Sequence, residues 1–277
     1  MKILIPLGTG SNWDNNELRY CLRSLDENLK GDYEIHIYGN VVPEWLTNVM
    51  VHPAERYYPE WLNKKNNGKL DYENFFDTLN KVKTFASDNQ GYFVYMYDDV
   101  LLLKELNVRS IPNIPLEIED GSFYQVRNFD KHGRTINTSI DILHEKYVIT
   151  ERLYNFETHL PRIYSSVKLV YLFTQFPFGN LSVPYALATM YFNYFTEEAN
   201  PDVLRIKDYK AGFYFDHGKV ASYMSNSLEE IEKAVQNKTW VNYNDMGLNL
   251  MATDLSGKQY LKEWIMNRFP NKSKYEL

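Results

Sequence analysis

The sequence predicts an α/β fold, a mostly parallel mixed sheet flanked by helices, and three observations predict it. Short apolar runs alternate with longer stretches whose apolar residues recur every three or four positions, the order of strands joined by helical crossovers. Glycine-bearing breaks at Gly8, Gly31 and Gly91 separate these runs. The 277 residues are 44% hydrophobic and 24% charged, a globular composition that can fill one large domain.

Taken in order, Ile3 to Leu7 is a short apolar strand, and Gly8-Thr9-Gly10-Ser11 is the loop after it. Asp14, Asn15 or Asn16 caps a helix with Leu18, Cys21, Leu22, Leu25 and Leu29 on one face, and Gly31 ends it. Tyr33 to Tyr38 alternates as a second strand, and Val49 to Val51 is a short third. A helix from Tyr72 to Ala86 presents Phe75, Phe76, Leu79 and Val82. Beyond Gly91, the aromatic strand Tyr92 to Tyr97 ends in two adjacent carboxylates, Asp98 and Asp99. This β-α-β order predicts parallel pairing with helices on the faces.

The two prolines in Ser110 to Pro115 break any regular element. They divide a single domain into halves, 1–109 and 110–277. In the second half, Phe123 to Val126 reads as a strand, Gln175 to Pro184 as a loop and Tyr185 to Phe195 as an aromatic helix. Ser227 with Glu230 and Ser256 with Gln259 are capping boxes that open two late helices, the second with Leu261, Trp264, Ile265 and Phe269 on one face.

A net charge of -6 argues against broad capture of nucleic acid or anionic membrane. The single Cys21 leaves no intramolecular disulfide and suits a reducing compartment. No apolar run approaches the roughly 20 residues that span a bilayer, and Met1-Lys2 leads straight into a strand without a signal-peptide pattern, so a cytoplasmic protein is expected. Aromatic residues make up 16% of the chain, suiting both core and clefts that stack on rings.

Several groups could carry chemistry. In an open α/β sheet the ligand crevice lies beyond the carboxyl ends of the strands, which puts Asp98 and Asp99 where a divalent cation and a phosphorylated ligand sit; the alternative is a solvated acidic turn or a helix cap. The Gly8-Thr9-Gly10-Ser11 loop follows the first strand, where backbone amides approach a nucleotide. The dinucleotide spacing fails at Trp13 and no Gly-Lys-Ser/Thr follows, which leaves a mononucleotide or nucleotide-sugar site. Arg19 and Arg23, four residues apart, are like charges on one helix surface; they invite either an anion such as a diphosphate or a carboxylate partner, with Glu17 and Glu27 the local candidates. In the polar cluster Glu157 to Arg162, His159 is a candidate metal ligand or proton carrier and Arg162 a phosphate partner, against an ordinary loop. Asn242-Tyr243-Asn244-Asp245 is an Asx-rich turn that also offers a third acidic group.

Asn15-Asn16-Glu17-Leu18-Arg19-Tyr20-Cys21-Leu22-Arg23-Ser24-Leu25, followed after one helix by Tyr95 to Leu102, resembles the second conserved block of the Stealth family of sugar-phosphate transferases. It is also similar to related bacterial and phage-encoded glycosyltransferases of GT-A fold. Glu157 to Pro161 resembles the histidine-containing third block, and Trp240 to Asp245 resembles a late W-V-N-x-N-D block. The resemblance implies a nucleotide-diphosphate-sugar donor, UDP-sugar first, and Mn²⁺ or Mg²⁺ held by Asp98 and Asp99. With the reading of the residues above, the candidate donor contacts are Gly8, Thr9, Gly10, Ser11, Arg19, Arg23, Asp98 and Arg162, and the candidates for a catalytic base are His159, Glu157 and Asp245. Residues 1–109 become the nucleotide-sugar half and 110–277 a helical, aromatic acceptor half. A glycan is the expected acceptor; a modified base in DNA is the other candidate, through Arg127 to Arg134 and the basic tail. Tyr97 stands where the family has asparagine, and Ile5 to Ser11 replaces the family's tryptophan-containing opening block, which favours glycosyl over sugar-phosphate transfer. A catalytically inactive glycan- or nucleotide-binding module is the reading from a different class.

Overall fold

A computed structural model describes residues 1–9, 11, 13–65, 72–113, 116–118, 131–147, 153–157, 160–198, 204–206, 227–236, 238–243 and 255–277. The strands that position the site are β1 (Lys2–Pro6), β2 (Glu34–Gly39), β3 (Met50–Pro53), β4 (Tyr92–Tyr95), β5 (Val100–Leu102), β6 (Arg162–Ser165) and β7 (Trp240–Asn242). The helices are α1 (Asn16–Asn28), α2 (Glu73–Asp88), α3 (Lys131–Tyr147), α4 (Ser166–Gln175), α5 (Leu187–Tyr194), α6 (Leu228–Val235) and α7 (Leu255–Arg268).

Five strands form the central sheet in the order β3-β2-β1-β4-β6. The first four are mutually parallel and β6 runs antiparallel to β4. The fold is therefore α/β with a mixed, mostly parallel sheet. Alternation along the strands divides the core. Ile3, Ile5, Ile35, Ile37 and Val94 join Leu18, Cys21, Leu22 and Leu25 of α1 in one cluster. Leu4, Tyr38, Phe93 and Tyr95 join Phe76, Leu79, Val82 and Phe85 of α2, with α4 and α5, in another. Strands buried on both faces read as continuous apolar runs, as β1 and β4 do. A third cluster packs Leu101 of β5 and Val241 of β7 against Ile231 of α6 and Trp264, Ile265 and Phe269 at α7.

Four expectations are corrected in detail. The aromatic strand stops at Tyr95; Met96 still donates its amide to Leu4, but Tyr97 leaves the sheet, Asp98-Asp99 forms a turn, and the chain resumes as β5 in an antiparallel pair with β7. Asn15 does stand at the N-cap of α1, yet in the left-handed region at φ 54° and with no capping bond from its side chain. The Ser11 hydroxyl instead accepts the amides of Trp13 and Asn15, at 3.2 and 2.8 Å. Ser256 does not open α7, which is already helical at Leu255. Arg162, read as part of a polar cluster, begins an edge strand.

Gly31, expected to end the first helix, instead follows it: α1 stops at Asn28 with Leu29 extended, and Gly31 adopts φ +98°, a left-handed turn that glycine makes cheaply. The break at Ser110 to Pro115 holds a 3₁₀ turn, Val108–Asn113. The strand expected at Phe123 to Val126 lies outside the described residues. None of the described helices is long and apolar enough to cross a membrane.

Candidate active site

Because β1 and β4 are parallel neighbours, the loop after Pro6 and the turn after Tyr95 leave the sheet at the same end. The first turn of α1 returns to that end and carries Glu17, which is fully buried. One Glu17 oxygen accepts the Ser11 hydroxyl at 2.8 Å, while the other, Oε1, is buried with no hydrogen bond. Ser11 therefore links the loop to the acidic residue. Glu17, expected to relieve the arginines of α1, faces inward instead.

Asp99 is nearly buried and held by the late strand. The Asn242 amide donates to its Oδ1 at 2.6 Å, and the Tyr243 backbone amide to its carbonyl at 3.2 Å. The Tyr243 hydroxyl donates to the Glu17 carbonyl at 3.2 Å, tying the same segment to α1. Asp98, partly buried beside them, has its carboxyl pushed up to about 8 by burial, then by Asp99 and Glu17, with Lys81 opposing. The same field acts on Cys21, whose thiol is pushed well up by burial and then by Asp98 and Asp99; this is core, not a nucleophile.

Two cations at this end escape local sequence patterns. Lys81 of α2 is 2% exposed and donates from Nζ to the Leu7 carbonyl at 2.8 Å and to Asp77 at 2.5 Å. Its one signal in the sequence is an Asp-Lys pair four residues apart within the helix. Arg56 donates to the Thr9 hydroxyl at 2.7 Å and pairs with Glu73 at 2.9 Å. Gly8 and Thr9 are exposed, so the backbone of this loop is open to a ligand. Gly10, His159 and Asp245 lie outside the described residues.

The remaining candidates are brought elsewhere. Arg23 makes two hydrogen bonds to Glu276 and one to the Phe269 carbonyl, while Arg19 stands 3.5 Å from Glu276 and over the Trp45 ring. The paired arginines thus have a carboxylate partner, and the phosphate role expected of them finds no support in this geometry. Glu157 accepts the amides of Ala188 and Thr189 at the start of α5, at 2.8 and 3.2 Å, and lies 3.5 Å from Arg162. Both of its oxygens hold structure, which argues against a general base. Arg162 lies not on the loop after β1 but at the wall of a cavity that it lines with Tyr95, Tyr97 and Tyr164.

No protein-family model matches the chain, and a search of curated proteins finds no match. Among solved structures it is similar to the galactosyltransferase LgtC in complex with donor and acceptor sugar analogs, at 9% identity over 99% of this chain and 98% of that one, TM-score 0.45. It is also similar to mouse xyloside xylosyltransferase 1 in its apo form, at 9% identity over 75% of this chain and 86% of that one, TM-score 0.35.

Chemically, Asp98 feels the like charges of Asp99 and Glu17, with Lys81 opposing them. Among the described residues, no three of His, Cys, Asp and Glu stand together as a metal-binding group. The oxygens of Asp98 and Asp99 are nevertheless hard donors of the type that Mg²⁺ and Mn²⁺ take, usually completed by water and substrate phosphates. Asp98 is raised by burial and then by this surrounding charge, and Glu17 Oε1 is buried without a hydrogen bond.

Proposed function

We propose that the chain transfers a sugar from a nucleotide-diphosphate donor, a UDP-sugar first, to the hydroxyl of an acceptor glycan. The observation that carries this reading is the Asp98-Asp99 turn at the carboxyl end of the central parallel strand β4, with Glu17 behind it and Asp98 pushed up to about 8. Support also comes from the sequence block that contains this turn, which resembles glycosyl- and sugar-phosphate transferases.

Mn²⁺ or Mg²⁺ held by Asp98 and Asp99 supplies, when bound, Lewis-acid stabilisation of the departing diphosphate. The chain's own residues do the positioning. Asn242 and the Tyr243 amide fix the carboxylate and backbone of Asp99. Gly8 and Thr9 present open backbone where a nucleotide approaches, and Arg56 orders Thr9. Lys81 places a buried positive charge at the end of β1, on the side where phosphate charge accumulates. Residues 1–109 then form the donor half and the later residues the acceptor half.

Titration calorimetry of UDP into the whole chain tests this. Binding is expected with Mn²⁺, lost on chelation, and weakened at least tenfold in Asp99→Asn; a donor panel should then release nucleoside diphosphate. Absence of metal-dependent binding of any nucleoside diphosphate would falsify the reading.

A second reading, hexose-1-phosphate transfer, is favoured by the Asn15 to Leu25 block with its acidic partner. It releases nucleoside monophosphate instead, so product analysis separates the two.

A further inference from the structure

Between α2, α3, the start of α5 and the carboxyl end of β4 lies a cavity of about 190 Å³. Pockets that hold whole drug-sized ligands begin at roughly 300 Å³, so this one suits a single sugar ring and not a nucleotide sugar. Its walls are aromatic, formed by Phe75, Tyr95, Tyr97, Tyr164 and Tyr185, and such faces pack against the apolar side of a sugar ring. Tyr97, the residue before Asp98, belongs to this wall, so the cavity adjoins the acidic turn.

Arg162 lines the cavity and is 3% exposed. Its Nη1 is 3.5 Å from Glu157 Oε2, and its Nε donates to the Leu160 carbonyl at 3.4 Å, both long contacts. Its Nη2 is buried with no hydrogen bond, as is the hydroxyl of Tyr164, which interacts with the guanidinium from the same wall. Glu157 is the one carboxylate among the described lining residues, and its other oxygen is taken by the first amides of α5. A buried guanidinium edge of this kind calls for an acceptor, and an anionic one answers it best. A sugar hydroxyl both donates and accepts, whereas a carboxylate or phosphate accepts only and forms charge-assisted, often paired bonds with arginine. His132 at the start of α3 adds an imidazole to the same wall.

We propose that this cavity receives a sugar ring bearing an oxyanion, gripped by Arg162 and packed on the aromatic wall. The role of this subsite in transfer rests on the function proposed above; the binding itself does not.

Ligand-observed NMR on the full chain tests it with glucuronate, galacturonate, glucose 6-phosphate, glucose and galactose, without nucleotide or metal. At least one acidic sugar should bind tenfold or more tightly than its neutral counterpart. Preference for a uronate assigns the oxyanion as carboxylate; preference for the phosphate ester assigns it as phosphate. Arg162→Lys, which keeps the charge and loses the planar edge, should reduce the preference to below threefold. Leu187→Trp, which fills the cavity from its partly exposed wall, should abolish binding. Equal affinity for acidic and neutral sugars overturns the proposal, and that comparison needs only the unmodified chain, whether or not either variant folds. Acidic preference that survives a folded Leu187→Trp overturns it too. UDP binding with Mn²⁺, measured alongside, separates the two ideas: UDP binding without acidic preference removes the cavity inference alone, and acidic preference without any nucleotide binding removes the transfer reading alone.

Discussion

Arg23 grips Glu276 through two hydrogen bonds, Nε to Oε1 at 2.7 Å and Nη2 to Oε2 at 2.8 Å, across 253 residues of chain. The pair ties α1 to the segment that follows α7. The Glu276 side chain is only 5% exposed. Burial alone would raise its carboxyl, but Arg23 and the Ser273 amide more than offset that and leave it below its ordinary value. Glu276→Gln is expected to cost about 2 kcal/mol, under the 3–5 kcal/mol of a fully buried pair, because Arg23 keeps the Phe269 carbonyl. Urea unfolding measures it. A depressed carboxyl contributes stability above its unfolded value of 4.5 and loses it as pH falls through the folded value, so the gap between wild type and variant should narrow below pH 4.5.

Lys81 is the more costly cation to remove. Lys81→Met leaves Asp77 with the Tyr57 amide as its remaining bond and the Leu7 carbonyl without its donor. The expected loss is about 3–5 kcal/mol. The double variant Asp77→Asn/Lys81→Met should recover part of it in a denaturation series, and additive losses would show that the two residues do not act as a pair.

The Nδ1 of His36 and Nε2 of His52 are 2.9 Å apart, a contact that needs one of these nitrogens to be without a proton. Burial lowers both pKa values, with His52 and Lys2 lowering His36 further; Glu34 raises His36 and Asp88 raises His52, each only in part. With folded values below 6.5, the stabilisation is full above pH 6.5 and is lost as pH falls through it, by up to about 1.4 kcal/mol per pH unit per proton. Unfolding free energy followed from pH 8 to pH 5 should show this slope, and His52→Gln should flatten it.

Asp98→Asn should separate folding from function. It removes one of three crowded carboxylates, and without metal the variant is expected to gain about 1–3 kcal/mol, the scale of relieving an unsatisfied buried polar group. The same variant should lose Mn²⁺-dependent nucleotide binding. A lower melting temperature in chelator would mean that Asp98 is compensated within the protein.

The parallel sheet is legible in the sequence because β1 and β4 are short apolar runs, β2 alternates, and each crossover helix carries a periodic apolar face, so the observed bounds differ from the expected ones by two residues or fewer. The edge strand β6 is not legible, since Pro161 and Arg162 interrupt its start and Ile163 to Ser165 is too short to show alternation. Helix α3 hides for a related reason: its apolar positions are spread among Thr135, Ser139 and Asn137, polar residues that blur the stripe. At the site, the acidic pair announces itself as charge at the end of an apolar run. Its supports do not, because Asn242 with Asp99 and Arg23 with Glu276 are contacts across 143 and 253 residues that no local pattern encodes. The late Trp240 to Asp245 block is singled out by resemblance, and within it Asn242 and Tyr243 are the described residues that hold Asp99.

The clamp on Asp99 has a consequence in time. Asn242 is synthesised 143 residues after the carboxylate it holds. At ribosomal rates of about 5–20 residues per second that interval is roughly 7 to 30 seconds, during which the sheet can form while the acidic turn waits for its brace. A chain cut short before β7 would lack the brace on Asp99, the strand that pairs with β5 and the Glu276 partner of Arg23 together.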